Sequence, residues 1–262
     1  SRRYAKGLMK IHLAQFDIAW EAKEENFARV EALFSASRPE PGSLVALPEM
    51  FSTGFSLNAA KTHEGRQRPA EQFLKDQAGI LGAAVLGGVT NLSPKGRALN
   101  QAVAFGADGA ELCRYTKVHP FGPGGEAKGF DPGTGGKIFD WAGFKVSPFV
   151  CYDLRFPETF REAVRLGAEL MIVIACWPSS RIEHWETLLR ARAIENQCYV
   201  AGVNRCGKDP NQGYPGRSLV FGPRGETLAE AGSEPVLLSA ELSRETLLKY
   251  RNDFPALLDM RD

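Results

Sequence analysis

Apolar positions along this chain fall into short runs that alternate with segments of helical spacing. Residues 9–15 read as a strand, and residues 22–35 place Phe27, Val30, Leu33 and Phe34 at helical intervals. Residues 44–47 form a second apolar run, followed by a Gly/Ser/Asn-rich loop through Phe55 and His63. The pattern then predicts a helix over 70–78 and a buried strand over 83–90. Runs at 99–105 and 111–115 flank Gly106-Ala107-Asp108-Gly109, a hairpin turn signal. Residues 121–136 hold seven glycines and two prolines, which predicts a shaped loop with no regular element. Beyond it the pattern predicts a strand over 144–150, interrupted by Pro148, and a helix over 158–166 closed by Gly167. A strand over 170–175, a helix over 183–197 and strands over 199–203, 218–221, 226–228 and 236–240 complete the reading. Strands alternating with helices and hairpins predict an α/β chain with sheets inside and helices outside.

Composition narrows this further. No linker divides the 262 residues, so one domain over 1–262 is expected, with 1–7 as a flexible, solvated tail. The net charge of +1 comes from interspersed acids and bases, which excludes a basic nucleic-acid surface and a cationic membrane face. The five cysteines (113, 151, 176, 198 and 206) lack CxxC spacing, which argues for reduced thiols rather than disulfides or a zinc site. No apolar stretch is long enough to span a bilayer. A cytoplasmic protein is the expectation.

Three segments carry reactive side chains at predicted strand ends. Cys151 lies in VCYDLRFPE, where a strand turns into a helix and backbone N–H groups face outward. Glu49 lies in LPEMF after the second strand, and Lys117 in YTKVHPF after the strand over 111–115. A thiol is mostly protonated at neutral pH, so a nucleophilic cysteine needs a base or a positive field. Glu49 is the candidate base, Lys117 the candidate stabiliser of the thiolate and oxyanion, and the Tyr152 N–H a second oxyanion donor. Glu126, in the glycine-rich segment, is a candidate second carboxylate that orients Lys117 or the substrate amide. His119 and His184 are alternative bases, but His119 precedes a proline and His184 begins a helix. Each of these residues alone has an ordinary structural reading; their combination argues for acyl transfer.

Together the segments resemble the nitrilase, or carbon–nitrogen hydrolase, superfamily, and the order Glu49, Lys117, Cys151 is that family's order. Residues 184–197 and 216–226 resemble it as well, so the likeness runs over nearly the whole chain. The resemblance implies an α-β-β-α sandwich with two central mixed sheets and outer helices. It implies Glu49 as general base, Lys117 as oxyanion stabiliser, Cys151 as nucleophile and Glu126 as supporting glutamate. It also implies no metal or organic cofactor, and a homodimer built on helices near the site, with residues 243–262 packing at the interface. Tyr152 to Glu158, with Ala175-Cys176-Trp177-Pro178 and Arg181, is similar to the omega-amidase, or Nit-like, branch. That branch hydrolyses the terminal amide of short dicarboxylic acid monoamides such as 2-oxoglutaramate. Such a substrate needs a cation at the far end of the pocket, for which Arg181 and Arg155 are the candidates. Arg155 has a second reading, as a brace for the turn after the nucleophile. Phe51, Phe55 and Trp177 are candidate pocket walls. A broad aliphatic amidase or an N-carbamoyl amidohydrolase on the same machinery is the alternative. A non-catalytic interaction protein has no need for a thiol, a carboxylate and an ammonium in register.

Overall fold

The computed structural model describes residues 7–261. Of the expected tail, residues 1–6 lie outside the described residues, while the Gly7 carbonyl accepts the Arg244 N–H. In chain order the strands are β1 (Leu8–Gln15), β2 (Leu44–Ala46), β3 (Ala84–Leu92), β4 (Ala98–Phe105), β5 (Glu111–Thr116), β6 (Phe139–Trp141) and β7 (Phe144–Val150), then β8 (Leu170–Ala175), β9 (Tyr199–Asn204), β10 (Cys206–Lys208), β11 (Gly213–Pro215), β12 (Leu219–Phe221), β13 (Thr227–Glu230) and β14 (Val236–Ser243). The helices are α1 (Lys23–Ala36), α2 (Ala59–Thr62), α3 (Pro69–Leu81), α4 (Glu126–Gly129), α5 (Pro157–Arg165), α6 (Ile182–Asn196) and α7 (Arg244–Asp253). Among the described residues no helix is long and apolar enough to cross a membrane.

Two six-stranded mixed sheets form, in the orders β14-β1-β2-β3-β4-β5 and β13-β12-β9-β8-β7-β6. They face each other, with β1 against β9 and β4 against β7. The two-residue period of a strand explains the layering. Met9, Ile11 and Leu13 of β1, Leu44 and Ala46 of β2 and Ala102 and Ala104 of β4 point into the space between the sheets. Their alternates Val45, Val85, Val89 and Val103 face outward, onto Val30 and Phe34 of α1 and Phe73, Leu74 and Ala78 of α3. On the far side, Phe160 and Ala163 of α5 and Trp185 and Leu189 of α6 cover the second sheet. The layers are therefore α-β-β-α, as the sequence resemblance implied.

Several local expectations change in the folded chain. Pro148 does not interrupt β7, because β6 pairs only with residues 144–146 and leaves no ladder bond to lose on that side. The segment 121–136 is not devoid of regular structure. It holds a 3₁₀ turn, Gly122–Gly124, and the short helix α4. Gly125, at φ +84°, lies between the two and supplies the left-handed step. Helix α2 lies in the predicted loop after β2, and α7 forms where no periodic apolar pattern predicted it. In α7 the only buried side chain is Leu247, and the Ser243 hydroxyl caps the helix by accepting the Thr246 N–H.

Candidate active site

Glu49, Lys117 and Cys151 each follow a strand, β2, β5 and β7, at one end of the paired sheets. Glu49 sits in a tight turn after β2, with Met50 at φ +44°. The turn is held against β3 by the Phe51 N–H donating to Gly88 O at 3.1 Å and the Gly88 N–H donating to Pro48 O at 3.1 Å. A Cβ on Gly88 would lie 2.4 Å from the Met50 nitrogen and 2.6 Å from the Glu49 Cα, so only glycine admits this approach.

Lys117, 1% exposed, lies between two fully buried carboxylates. Its Nζ donates to Glu49 Oε1 at 2.9 Å and to Glu126 Oε2 at 2.7 Å. Burial works to lower the Lys117 pKa, but the Glu49 and Glu126 charges outweigh it and the ammonium is raised above its usual range. The second oxygen of Glu49 accepts the Cys176 N–H at 3.0 Å, and Glu126 Oε2 also accepts the Phe121 N–H at 2.6 Å. Glu126 opens α4 and is fully buried, so the glycine-rich segment is the device that turns this carboxylate inward.

Cys151 begins a 3₁₀ turn, Cys151–Arg155, and its backbone is left-handed at φ +47°, an uncommon state for a non-glycine residue. The first N–H groups of such a turn, that of Tyr152 included, receive no partner from the turn itself. Desolvation and the Glu49 carboxylate push the Cys151 thiol well above its ordinary pKa, against the pull of Lys117. The resting group is thus a thiol, and its proton needs an acceptor.

Asp153 holds this turn in register with Lys117. Its carboxylate accepts the Val150 N–H at 3.1 Å, the Tyr115 hydroxyl at 2.8 Å and the His119 N–H at 2.9 Å. Burial and the Asp153 charge push the Tyr115 phenol up, so it remains a donor. Asp153 braces the turn from within. The His119 ring pairs with Asp153 at 3.0 Å and stacks on Phe156 at 3.8 Å, and the His184 Nδ1 accepts from Arg155 at 3.1 Å. Glu49, not either histidine, is the group paired with Lys117 beside Cys151.

A concave pocket opens onto Cys151 and Lys117. Phe55, Phe121, Tyr152 and Trp177 form apolar walls, and Arg155, Arg181, Gln212 and Cys176 also line it. Arg155 lies over the Trp177 ring at 5.1 Å and Arg181 over Phe121 at 5.6 Å. Among the described residues neither guanidinium forms an ion pair; their hydrogen bonds go to the His184 ring and the Ser180 hydroxyl. Phe51 corrects the expectation of a pocket wall. It is fully buried in the outer core, with its ring 5.9 Å from Phe73 and 6.1 Å from Phe27. Its alternation with Glu49 across the tight turn sends it to the helix side.

Sequence reasoning missed Asn100, Asp153, Gly88, Cys176, Phe121 and Gln212. Asn100 had a signal. On β4 it shares the inward face with Ala102 and Ala104, and an amide on an apolar face demands partners. A half-buried thiol beside a carboxylate, an ammonium and free N–H donors comprises the parts that nucleophilic acyl transfer requires.

Comparison with known proteins agrees with this chemistry. The family profile for carbon–nitrogen hydrolases matches residues 10–252. The chain is 38% identical over 253 residues to the omega-amidase YafV of Yersinia enterocolitica, covering 96% of each chain. It is 32% identical over 252 residues to a 2-oxoglutaramate amidase of Bacillus subtilis, covering 96% of this chain and 97% of that one. It superposes with a TM-score of 0.90 and 35% identity on a carbon–nitrogen hydrolase superfamily protein of Xanthomonas campestris that carries an arsenic adduct in its active site, over 97% of this chain and 98% of that one. Matched along nearly its full length in sequence and in fold, the chain belongs to the carbon–nitrogen hydrolase family and is an amide-hydrolysing enzyme.

Proposed function

We propose that the enzyme hydrolyses the terminal carboxamide of small dicarboxylic acid monoamides, of the 2-oxoglutaramate type, through a thioester on Cys151. The observation that carries this reading is one cavity that brings together the Cys151 thiol, the Lys117–Glu49 pair at 2.9 Å and two guanidinia without acidic partners. Glu49 takes the thiol proton as the sulfur attacks the amide carbon. Lys117 and the Tyr152 N–H receive the oxyanion. The tetrahedral adduct collapses, the proton on Glu49 passes to the leaving nitrogen, and ammonia departs. Glu49 then takes a proton from water, whose oxygen attacks the thioester, and the returning proton restores the Cys151 thiol and frees the acid. Glu126 holds Lys117 in place throughout.

Arg155 and Arg181 would hold the substrate's distal carboxylate, since their contacts with aromatic rings, the His184 ring and a hydroxyl leave them without an acidic partner. The omega-amidase and 2-oxoglutaramate amidase names of the relatives support an acidic amide. The test is ammonia release from 2-oxoglutaramate and succinamate beside neutral amides and carbamoyl compounds. Arg155→Met and Arg181→Met are expected to raise KM for the acidic amides at least about tenfold while changing neutral amides less than about twofold. Equal losses on both classes would remove the carboxylate pocket, and carbon dioxide released with ammonia would replace it with a carbamoyl reaction.

We further propose a homodimer. Leu166 after α5, Ile194 on α6, and Phe254 and Leu258 beyond α7 are 50%, 48%, 59% and 84% exposed, apolar surface of the kind a second copy buries. Sedimentation at micromolar concentration is expected to give twice the chain mass; a monomer there sinks the idea.

A further inference from the structure

We propose that Asn100 is a positioning residue for the reaction, one that bridges Glu49 and Glu126 alongside Lys117 without adding charge. Its Nδ2 donates to Glu49 Oε1 at 2.7 Å and to Glu126 Oε1 at 2.8 Å. Both partners are carboxylate oxygens, which only accept, so the amide can face them solely through its nitrogen. With the Lys117 bonds at 2.9 Å and 2.7 Å, this closes a ring in which two carboxylates share one ammonium and one neutral amide.

The ring resolves a conflict in the site. Two buried carboxylates facing one ammonium carry a surplus negative charge, which favours protonation of one of them. A second cation in place of Asn100 would cancel that surplus, and would also make Glu49 a poor acceptor for the Cys151 proton. A neutral double donor fixes both carboxylates through hydrogen bonds without adding a charge to the site. The backbone adds to the coupling, since the Lys117 N–H donates to the Asn100 carbonyl at 2.8 Å, so one residue fixes the ammonium from the main chain and the carboxylates from the side chain. The Asn100 Oδ1 is buried with no partner, a cost the residue bears for keeping its nitrogen toward the carboxylates. The titratable groups around the ring are Glu49 after β2, Lys117 after β5, Glu126 on α4, Cys151 after β7 and Cys176 after β8.

This inference rests on Glu49 as the base for Cys151, and the test separates the two. Alkylation of Cys151 by iodoacetamide, followed against pH by mass spectrometry, reads proton loss from the thiol without any substrate. Succinamate turnover is measured beside it. Asn100→Leu removes both donors at similar volume and is expected to move the acid limb of the alkylation profile upward by about one pH unit. It should also lower kcat for succinamate about 100-fold while KM changes less than about threefold. Asn100→Asp should move the limb further, because it adds a third carboxylate. Equal losses in the Leu and Asp variants with an unmoved limb would mean a merely structural role and overturn the proposal. If Asn100→Leu does not fold, Asn100→Ser carries the test: its single hydroxyl donor should give a smaller shift of the same sign, and no shift overturns the idea. If Glu49→Gln leaves the wild-type limb in place, the base assignment fails instead.

Discussion

Cys151→Ala is expected to lower amide turnover by at least about 10,000-fold with the fold intact, because it removes the atom proposed to form the thioester. Cys176 lines the same cavity and is the one other thiol in reach, but it cannot substitute. Its Sγ is engaged with the Glu49 carbonyl at 3.2 Å, and desolvation and the Glu49 charge push its thiol well above the ordinary range. Ammonia release and trapping of an acyl-enzyme by mass spectrometry check the result. An acyl adduct on Cys176, or turnover above about one percent of wild type, would contradict the assignment of the nucleophile.

Lys117→Met has the largest expected effect on stability, and it lowers the rate as well. Lys117 is the cation of a buried array, and its removal leaves Glu49 and Glu126 facing each other, fully buried, with only the Asn100 amide between them. Breaking a buried ion pair by deleting one partner costs about 3–5 kcal/mol. Loss of an oxyanion donor adds about 100- to 1,000-fold in kcat. The pH dependence has a definite sign. Without the ammonium one of the two carboxylates binds a proton more tightly in the folded than in the unfolded chain, so the variant regains stability as pH falls and loses it as pH rises. Chemical denaturation from pH 5 to 8 measures this, with wild type as reference. A variant as stable as wild type across that range would show that the ammonium is not what holds the two carboxylates together.

The order of strands and helices was legible in the sequence because each buried element carries its own period. The alternation in β1 and β4 and the 3.6 spacing of α1 follow from which face is covered, and both faces are covered by apolar partners. Helix α7 was not legible, since one buried side chain gives no period to read. Glu49, Lys117 and Cys151 were legible as reactive residues at strand ends, and their family order made the combination specific. Phe51 was misplaced because the turn at Met50, whose φ is positive, decides which side chain enters the cavity and which enters the core.

What the sequence determined by itself is thus the layered α/β architecture and the identity of a thiol, a carboxylate and an ammonium at strand ends. Local pattern and residue chemistry encode those, and neither depends on distance. Tertiary structure alone decided that Asn100 from β4, the Cys176 N–H after β8 and Glu126 after a glycine-rich turn converge on Glu49 and Lys117. It also decided that Asp153 ties the Cys151 turn to Tyr115 and His119, and that both histidines are spent on other contacts. Hydrogen bonds between residues 9 to 127 positions apart leave no periodic trace in a chain; they exist only once the two sheets are stacked and their strand ends share one edge.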